Sequence, residues 1–287
     1  MAARIMRIRS QWAWRWHAIL TLQARNSQAL IYSLGLYISV ALALASGALM
    51  LQNTLRYVEL NAVLSTQEPL FIPIAIMMGV VSLYLALSAS LAAARERDRG
   101  TLEVLFYGPV DEASFILGHF ASPLAVYSAI ALFAFVWSNL VTWLLHLQFS
   151  FGPAYLLLAT IATVASIIAF GLLVAVWGGR TRAALTYFIL AILLLASLQI
   201  ADSIVSAIAI STNPTENDPV LVIRNALAFA NGILQWVSPY SQLTHIMDDL
   251  LNASFASSLL HLGVTLVQAA LYLWASIRIL KRKGARG

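Results

Sequence analysis

Residues 113–179 read ASFILGHFASPLAVYSAIALFAFVWSNLVTWLLHLQFSFGPAYLLLATIATVASIIAFGLLVAVWGG and contain no Asp, Glu, Lys or Arg. A helix crosses the hydrocarbon core of a bilayer with about 20 apolar residues. The stretch is too long for one crossing and too apolar for a water-facing surface. Phe151-Gly152-Pro153 divides it. Proline removes an amide donor and glycine loosens the backbone, so two spans are predicted, at about 119–147 and 153–177.

On either side of this stretch, four more apolar runs have the same character: 29–51, 70–94, 183–210 and 259–280. The whole chain is 61% hydrophobic and only 10% charged. Soluble domains carry roughly 25% charged residues. The fold class is therefore an all-α polytopic membrane protein with six transmembrane helices. No soluble domain, repeat or linker interrupts it, so residues 1–287 form a single transmembrane domain. The first long apolar run starts too late and runs too long for the core of a cleavable signal peptide.

The stretch 225–247 is also uncharged. It carries Asn225, Asn231, Gln235, Pro239, Gln242 and His245, which are costly in hydrocarbon. It is expected as part of an outer segment, 211–258, containing short helices broken at Pro239. A six-span path with the N-terminus inside puts fifteen of the seventeen basic residues in the cytoplasm: Arg4, Arg7, Arg9, Arg15, Arg25, Arg95, Arg97, Arg99, Arg180, Arg182, Arg278, Lys281, Arg282, Lys283 and Arg286. Only Arg56 and Arg224 fall outside. Basic loops are retained on the cytoplasmic side, so both termini are expected there, with the chain in a cell membrane of bacterial type. A seventh span would reverse the basic C-terminal tail. The net charge of +5 thus reports orientation and membrane lipids, and no nucleic-acid partner is expected.

Residues 1–28 differ from the rest. Ile5, Ile8, Trp12, Trp16 and Ile19 recur at helical spacing beside Arg4, Arg7 and Arg15. Trp12, Trp14 and Trp16 suit the headgroup zone. An amphipathic helix lying on the inner leaflet is expected, in preference to an unstructured basic tail.

The loop between the second and third spans, 95–118, is the most informative polar segment. Arg95-Glu96-Arg97-Asp98-Arg99 leaves the membrane; Gly100 permits a sharp turn, and Thr101 is placed to N-cap a short helix. Leu102, Leu105 and Phe106 give that helix one apolar side, with Glu103 on another. Gly108-Pro109 ends it, and Asp111 or Glu112 starts the next helix. Such a helix can serve as a lever onto which a partner docks. On spacing alone it serves equally as a plain amphipathic connector.

The run Glu96-x-x-x-Gly100-Thr101-Leu102-Glu103-x-Leu105, with Pro109 and Gly118 after it, resembles the signature of type-2 ABC transporter permeases. His119 stands where that family usually has lysine, Gly108 where it often has a small hydroxyl residue, and Asp111-Glu112 where it has a serine and a base. The N-terminal interfacial helix, six spans and a Ser238-Pro239 outer segment are similar too. The resemblance implies the membrane subunit of an ATP-driven exporter. Two such subunits, identical or paralogous, would form the pathway, with ATP-binding-cassette ATPase subunits docked beneath. It implies that Glu96, Arg97, Gly100, Thr101, Leu102, Glu103, Leu105, Pro109 and Gly118 couple the ATPase to the spans. Arg180 and Arg182 read as a second cytoplasmic contact. The chain has no Gly-x-x-x-x-Gly-Lys-Ser/Thr loop. It is therefore not expected to be the enzyme or to bind a cofactor, and ATP and Mg belong to the partner.

Asp202 is the only acid inside a predicted span, which makes it a candidate substrate or ion contact. The chain has no cysteine, and its five histidines show no metal-ligand spacing, so no metal site is expected. His245 beside Asp248 and Asp249 reads as a solvated outer loop. No Gly-x-Ser-x-Gly setting marks an intramembrane hydrolase. Ser82, Ala86, Ser90 and Ala94, and likewise Ser39, Ala43 and Gly47, form small-residue stripes suited to close helix packing. Two other function classes share the composition: a polytopic scaffold without transport, and an ion-coupled secondary transporter using Asp202. The latter calls for paired intramembrane charges and inverted repeats, neither of which the sequence displays.

Overall fold

The computed structural model describes the chain except residues 1, 62–69, 109, 145–150, 213–218, 235, 237, 253 and 285–287. Within helices, the side chains of 2–13, 57–61, 199, 202–203, 206–212 and 219–220 also lie outside the description. Among the described residues every regular element is an α-helix: α1 (Ala2–Ile31), α2 (Leu34–Asn61), α3 (Phe71–Asp98), α4 (Thr101–Tyr107), α5 (Glu112–Leu144), α6 (Gly152–Gly178), α7 (Thr181–Thr212), α8 (Pro219–Leu234), α9 (Pro239–Leu251) and α10 (Phe255–Lys283). Six of them, α2, α3, α5, α6, α7 and α10, are long and apolar enough to cross a membrane.

The first crossing begins at Leu34, beyond the expected Ala29. Ser33 is the reason. Its hydroxyl donates to the Leu30 carbonyl at 2.6 Å and accepts the Leu36 amide at 3.4 Å, ending α1 and capping α2. α1 is therefore longer than predicted. It lies along α5, burying Ala18, Ile19 and Leu22 while Trp14 and Trp16 stay exposed. A Cβ on Gly118 of α5 would stand 2.8 Å from the Leu22 side chain. Only glycine permits α1 to approach this closely.

α6 is the axis of the bundle. It packs against α3, α5, α7, α9 and α10, and 78% of its apolar window is buried. Small residues on every face allow this: Ala159, Ala162, Ala165, Ala169 and Ala175 are buried together with Thr160, Thr163 and Ser166. The buried hydroxyls are satisfied internally. Thr160 donates to Leu157 O at 2.6 Å and accepts from Tyr127 Oη at 2.8 Å, and Thr163 donates to Ala159 O at 3.1 Å.

The two ends of the bundle differ. One, the basic end, collects the C-termini of α3, α6 and α10, the helix α4 and the N-termini of α5 and α7, along with their arginines and lysines. At the opposite end α9 wedges between neighbours, with Leu243 and Ile246 buried against the core. Tyr240 reaches Ser82, 3.0 Å between hydroxyls. Ser82 lies about 16 Å along α3 from Phe71, at 1.5 Å per residue. α9 thus dips well into the span depth, whereas α8 contacts chiefly α7.

Candidate functional site: the elbow at the basic end

The elbow begins where α3 ends. The Arg99 amide donates to Arg95 O at 3.0 Å and the Gly100 amide to Arg97 O at 3.1 Å. Gly100 has φ 72°, the left-handed conformation that glycine adopts at little cost. It serves at once as the stop of α3 and the N-cap residue of α4, and no side chain caps that helix. The expected Thr101 cap is thus corrected. Thr101 is the first helical residue, and its hydroxyl donates back to Glu96 O at 2.8 Å. It closes the orphan carbonyl side of α3 instead of the amide side of α4.

α4 is two turns long and held by one side. Leu102 is fully buried, while Leu105, Phe106 and Val110 pack partly buried against the core. Val104 and Tyr107, three residues apart, are 71% and 92% exposed. α5 then starts at a proper cap: Asp111 Oδ1 accepts the Ser114 amide at 2.8 Å and the Ser114 hydroxyl at 2.5 Å. Arg15 of α1 pairs with the other oxygen at 3.0 Å. Burial opposes ionisation of Asp111, but the Ser114 hydrogen bonds and Arg15 outweigh it and hold the carboxyl below its usual range.

Charge links tie the elbow to α1, α6 and α7. Glu96 pairs with Arg25 of α1 and faces His119 Nε2 at 3.6 Å. His119 is buried beneath Phe115, and its Nδ1–H donates to Phe115 O at 3.0 Å. Arg97, 8% exposed, donates to Val176 O at 3.0 Å, and Lys283 Nζ donates to Trp177 O at 2.7 Å. Two cations thus close the last carbonyls of α6, where the helix dipole is negative. Thr181 donates to Asp98 at 3.1 Å and links the α6–α7 turn to the elbow.

Of the residues expected in the coupling segment, Glu96, Arg97, Gly100, Thr101, Leu102, Glu103 and Leu105 lie together in the elbow. Gly118 lies apart from it, at the crossing of α1 with α5. Pro109 falls outside the described residues, as does the side chain of Asp202 on α7. Arg180 and Arg182 are exposed at the head of α7, beside the elbow through Thr181. Sequence reasoning missed Val104 and Tyr107, although their offset from Leu102, Leu105 and Phe106 marks the outer face of α4. It also missed Arg15 and Arg25, which no local spacing links to the elbow. Among the described residues no cluster of His, Asp and Glu is arranged to hold a metal. His245 stacks on His261, ring centroids 5.0 Å apart, and His261 Nδ1–H donates to Gln242 Oε1 at 2.9 Å.

A bundle of six apolar helices with a short helix strapped across one end defines a multi-pass membrane protein. The profile of the family described as ABC-2 family transporter protein matches residues 21–278, so the chain belongs to that family, the membrane components of ABC transporters. No curated protein matches it.

Proposed function

We propose that this permease subunit couples ATP hydrolysis on a separate ATP-binding-cassette subunit to export across a bacterial cytoplasmic membrane. The basic end faces the cytoplasm, as the distribution of Arg and Lys supports. The ATPase carries ATP and Mg and docks on the outward face of α4. Two permease copies, or this chain and a paralogue, enclose the pathway.

The observation that carries this reading is the two-sided character of α4. Leu102 is buried while Val104 and Tyr107 are bare. A partner gripping those two side chains pulls on Leu102 and so on the core. Gly100 and the Asp111 cap fix both ends of the lever to long helices, so its displacement moves α3 and α5 together. Closure of two ATPases then tilts the spans and opens the pathway on the far side, an alternating-access cycle. Arg180 and Arg182 offer the partner a second, basic contact.

Val104→Asp and Tyr107→Asp test this directly, because neither side chain supports the fold. Co-expressed with a candidate ATPase, both variants are expected to fold, lose the co-purifying partner and lose ATP-dependent efflux. Full partner recovery and full efflux in both would end the coupling assignment.

A further inference from the structure

A cavity of about 350 Å³ opens between α1, α3 and α5 at the basic end. Part of its lining is apolar, including Leu87, Leu91 and Pro123. The polar part comes from Asn26, Arg95 and His119, with hydroxyls from Ser33, Tyr84, Ser88 and Ser122. Three of these groups have bonding capacity left over. Asn26 accepts from Arg25 Nε at 3.3 Å through its oxygen, but its buried amide nitrogen donates to nothing among the described residues. His119 is 2% exposed, and its ring is held by Nδ1, leaving the buried Nε2 without a hydrogen bond. Arg95 forms no ion pair among the described residues, unlike Arg25 and Arg15. Arg95 is exposed, whereas the Asn26 amide nitrogen and His119 Nε2 are buried, and buried polar groups left open are costly unless something fills them. Glu96 stands close by, its Oε2 3.6 Å from His119 Nε2, but its other oxygen pairs with Arg25, which offsets its charge toward an anion.

A second feature joins the first. An apolar groove of about 520 Å³ runs between α2, α3 and α7 over Ile38, Leu42, Leu83, Phe188, Ile192 and Leu193. Tyr84 and Leu87 line both the groove and the cavity. The polar chamber and the apolar groove thus adjoin at a neck formed by Tyr84 and Leu87. The chamber also lies beside α1, toward the basic end of the bundle.

We propose that the α1–α3–α5 cavity and the α2–α3–α7 groove together bind one anionic phospholipid. Arg95 and the Asn26 amide take its phosphate, and His119 Nε2 accepts from a headgroup hydroxyl. The acyl chain passes the Tyr84–Leu87 neck into the groove. A single phospholipid satisfies both parts, whereas free phosphate would leave the groove empty. The site does not depend on where the ATPase docks.

The test uses the purified full chain in a neutral detergent, melted with added short-chain phosphatidylglycerol, short-chain phosphatidylcholine or inorganic phosphate. A ligand that binds the native state raises the melting midpoint in proportion to the logarithm of its concentration. Phosphatidylglycerol is expected to bind about tenfold more tightly than phosphatidylcholine, whose choline cation offsets the phosphate charge that Arg95 meets and offers His119 no hydroxyl. Arg95→Gln should abolish that preference, while Arg278→Gln, a base at the same end over Trp274, should keep it. Leu87→Trp, which fills the neck and leaves every charge in place, should melt normally without lipid and lose phosphatidylglycerol binding. Equal response to the two lipids, equal loss in the two arginine variants, or unchanged binding in Leu87→Trp would each overturn the proposal. An inorganic phosphate shift as large as that of phosphatidylglycerol would do so too.

Discussion

The two ends of the bundle are held together by different chemistry. At the basic end the strap is ionic: Arg25 to Glu96, Arg15 to Asp111, and Arg97 and Lys283 to the last carbonyls of α6. At the opposite end it is mostly neutral: Tyr240 to Ser82, His261 to Gln242, Ser258 to Tyr155 at 3.3 Å, and Gln268 to the Trp236 carbonyl, with Asp249 Oδ2 a further 3.8 Å from His261 Nε2. Exposed ion pairs are long-ranged, tolerant of geometry and weak in salt. Buried neutral hydrogen bonds are short-ranged and fail once stretched. The shift and return proposed for α4 are better served by the first kind. A wedge that must stay seated at span depth is better served by the second.

Substitutions at five positions put this contrast to the test. The largest effect is expected from Leu102→Ala, which empties the fully buried anchor of α4. Leu→Ala in a packed interior costs about 2–5 kcal/mol. Here that loss should appear as a lower melting midpoint together with loss of coupling, because the lever loses its grip on the core. Next is Gly100→Ala, expected to cost about 1–2 kcal/mol by forcing a side chain into left-handed backbone. Nothing stands within 4 Å of its Cβ position, so the cost is conformational, and Gly100→Asn, which tolerates that region better, should recover part of it.

Third, Tyr240→Phe removes one hydroxyl and leaves Ser82 able to donate to Gly79 O at 2.9 Å. About 1 kcal/mol is expected. The melting difference from wild type should be insensitive to salt, whereas that of Arg25→Gln should fade between low and high ionic strength. Equal salt dependence in the two would erase the contrast. The smallest effect belongs to Asp111. Its carboxyl lies below the ordinary value in the folded chain, so its charge stabilises the fold at neutral pH. That contribution is complete above the unfolded value of about 3.9 and drains away as pH falls through the lower folded value. Melting wild type and Asp111→Asn from pH 7 downward should therefore show a constant gap that narrows only below about pH 4.

How far the sequence can be read varies with the range of the interactions involved. The six apolar helices follow from charge-free length, since hydrocarbon exacts the same composition whatever the neighbours are. The break at Ser33 is hidden because a single serine barely lowers the mean hydropathy of an apolar run, although its capping role is a local signal. Thr101 misleads for the opposite reason. A hydroxyl before an apolar turn suggests a cap, but Gly100 already turns the backbone, and the hydroxyl goes to Glu96. The Arg25–Glu96 pair joins residues 71 positions apart and leaves no trace in spacing. Gly118 matches a motif in the sequence, yet its neighbour is Leu22.

The burial of α6 bears on how the chain is made. Its partners are split in time: α3 and α5 leave the ribosome before it, α7, α9 and α10 after it. As the most apolar helix, with mean hydropathy 2.5 in its best window, it can enter the bilayer unaided. Its small, hydroxyl-bearing flank toward α10, including Ser166, meets Gln268 only after the last span has been synthesised. A nascent chain stalled before residue 255 would present that flank bare to lipid, a mark by which quality-control proteases could tell an unfinished subunit from a finished one.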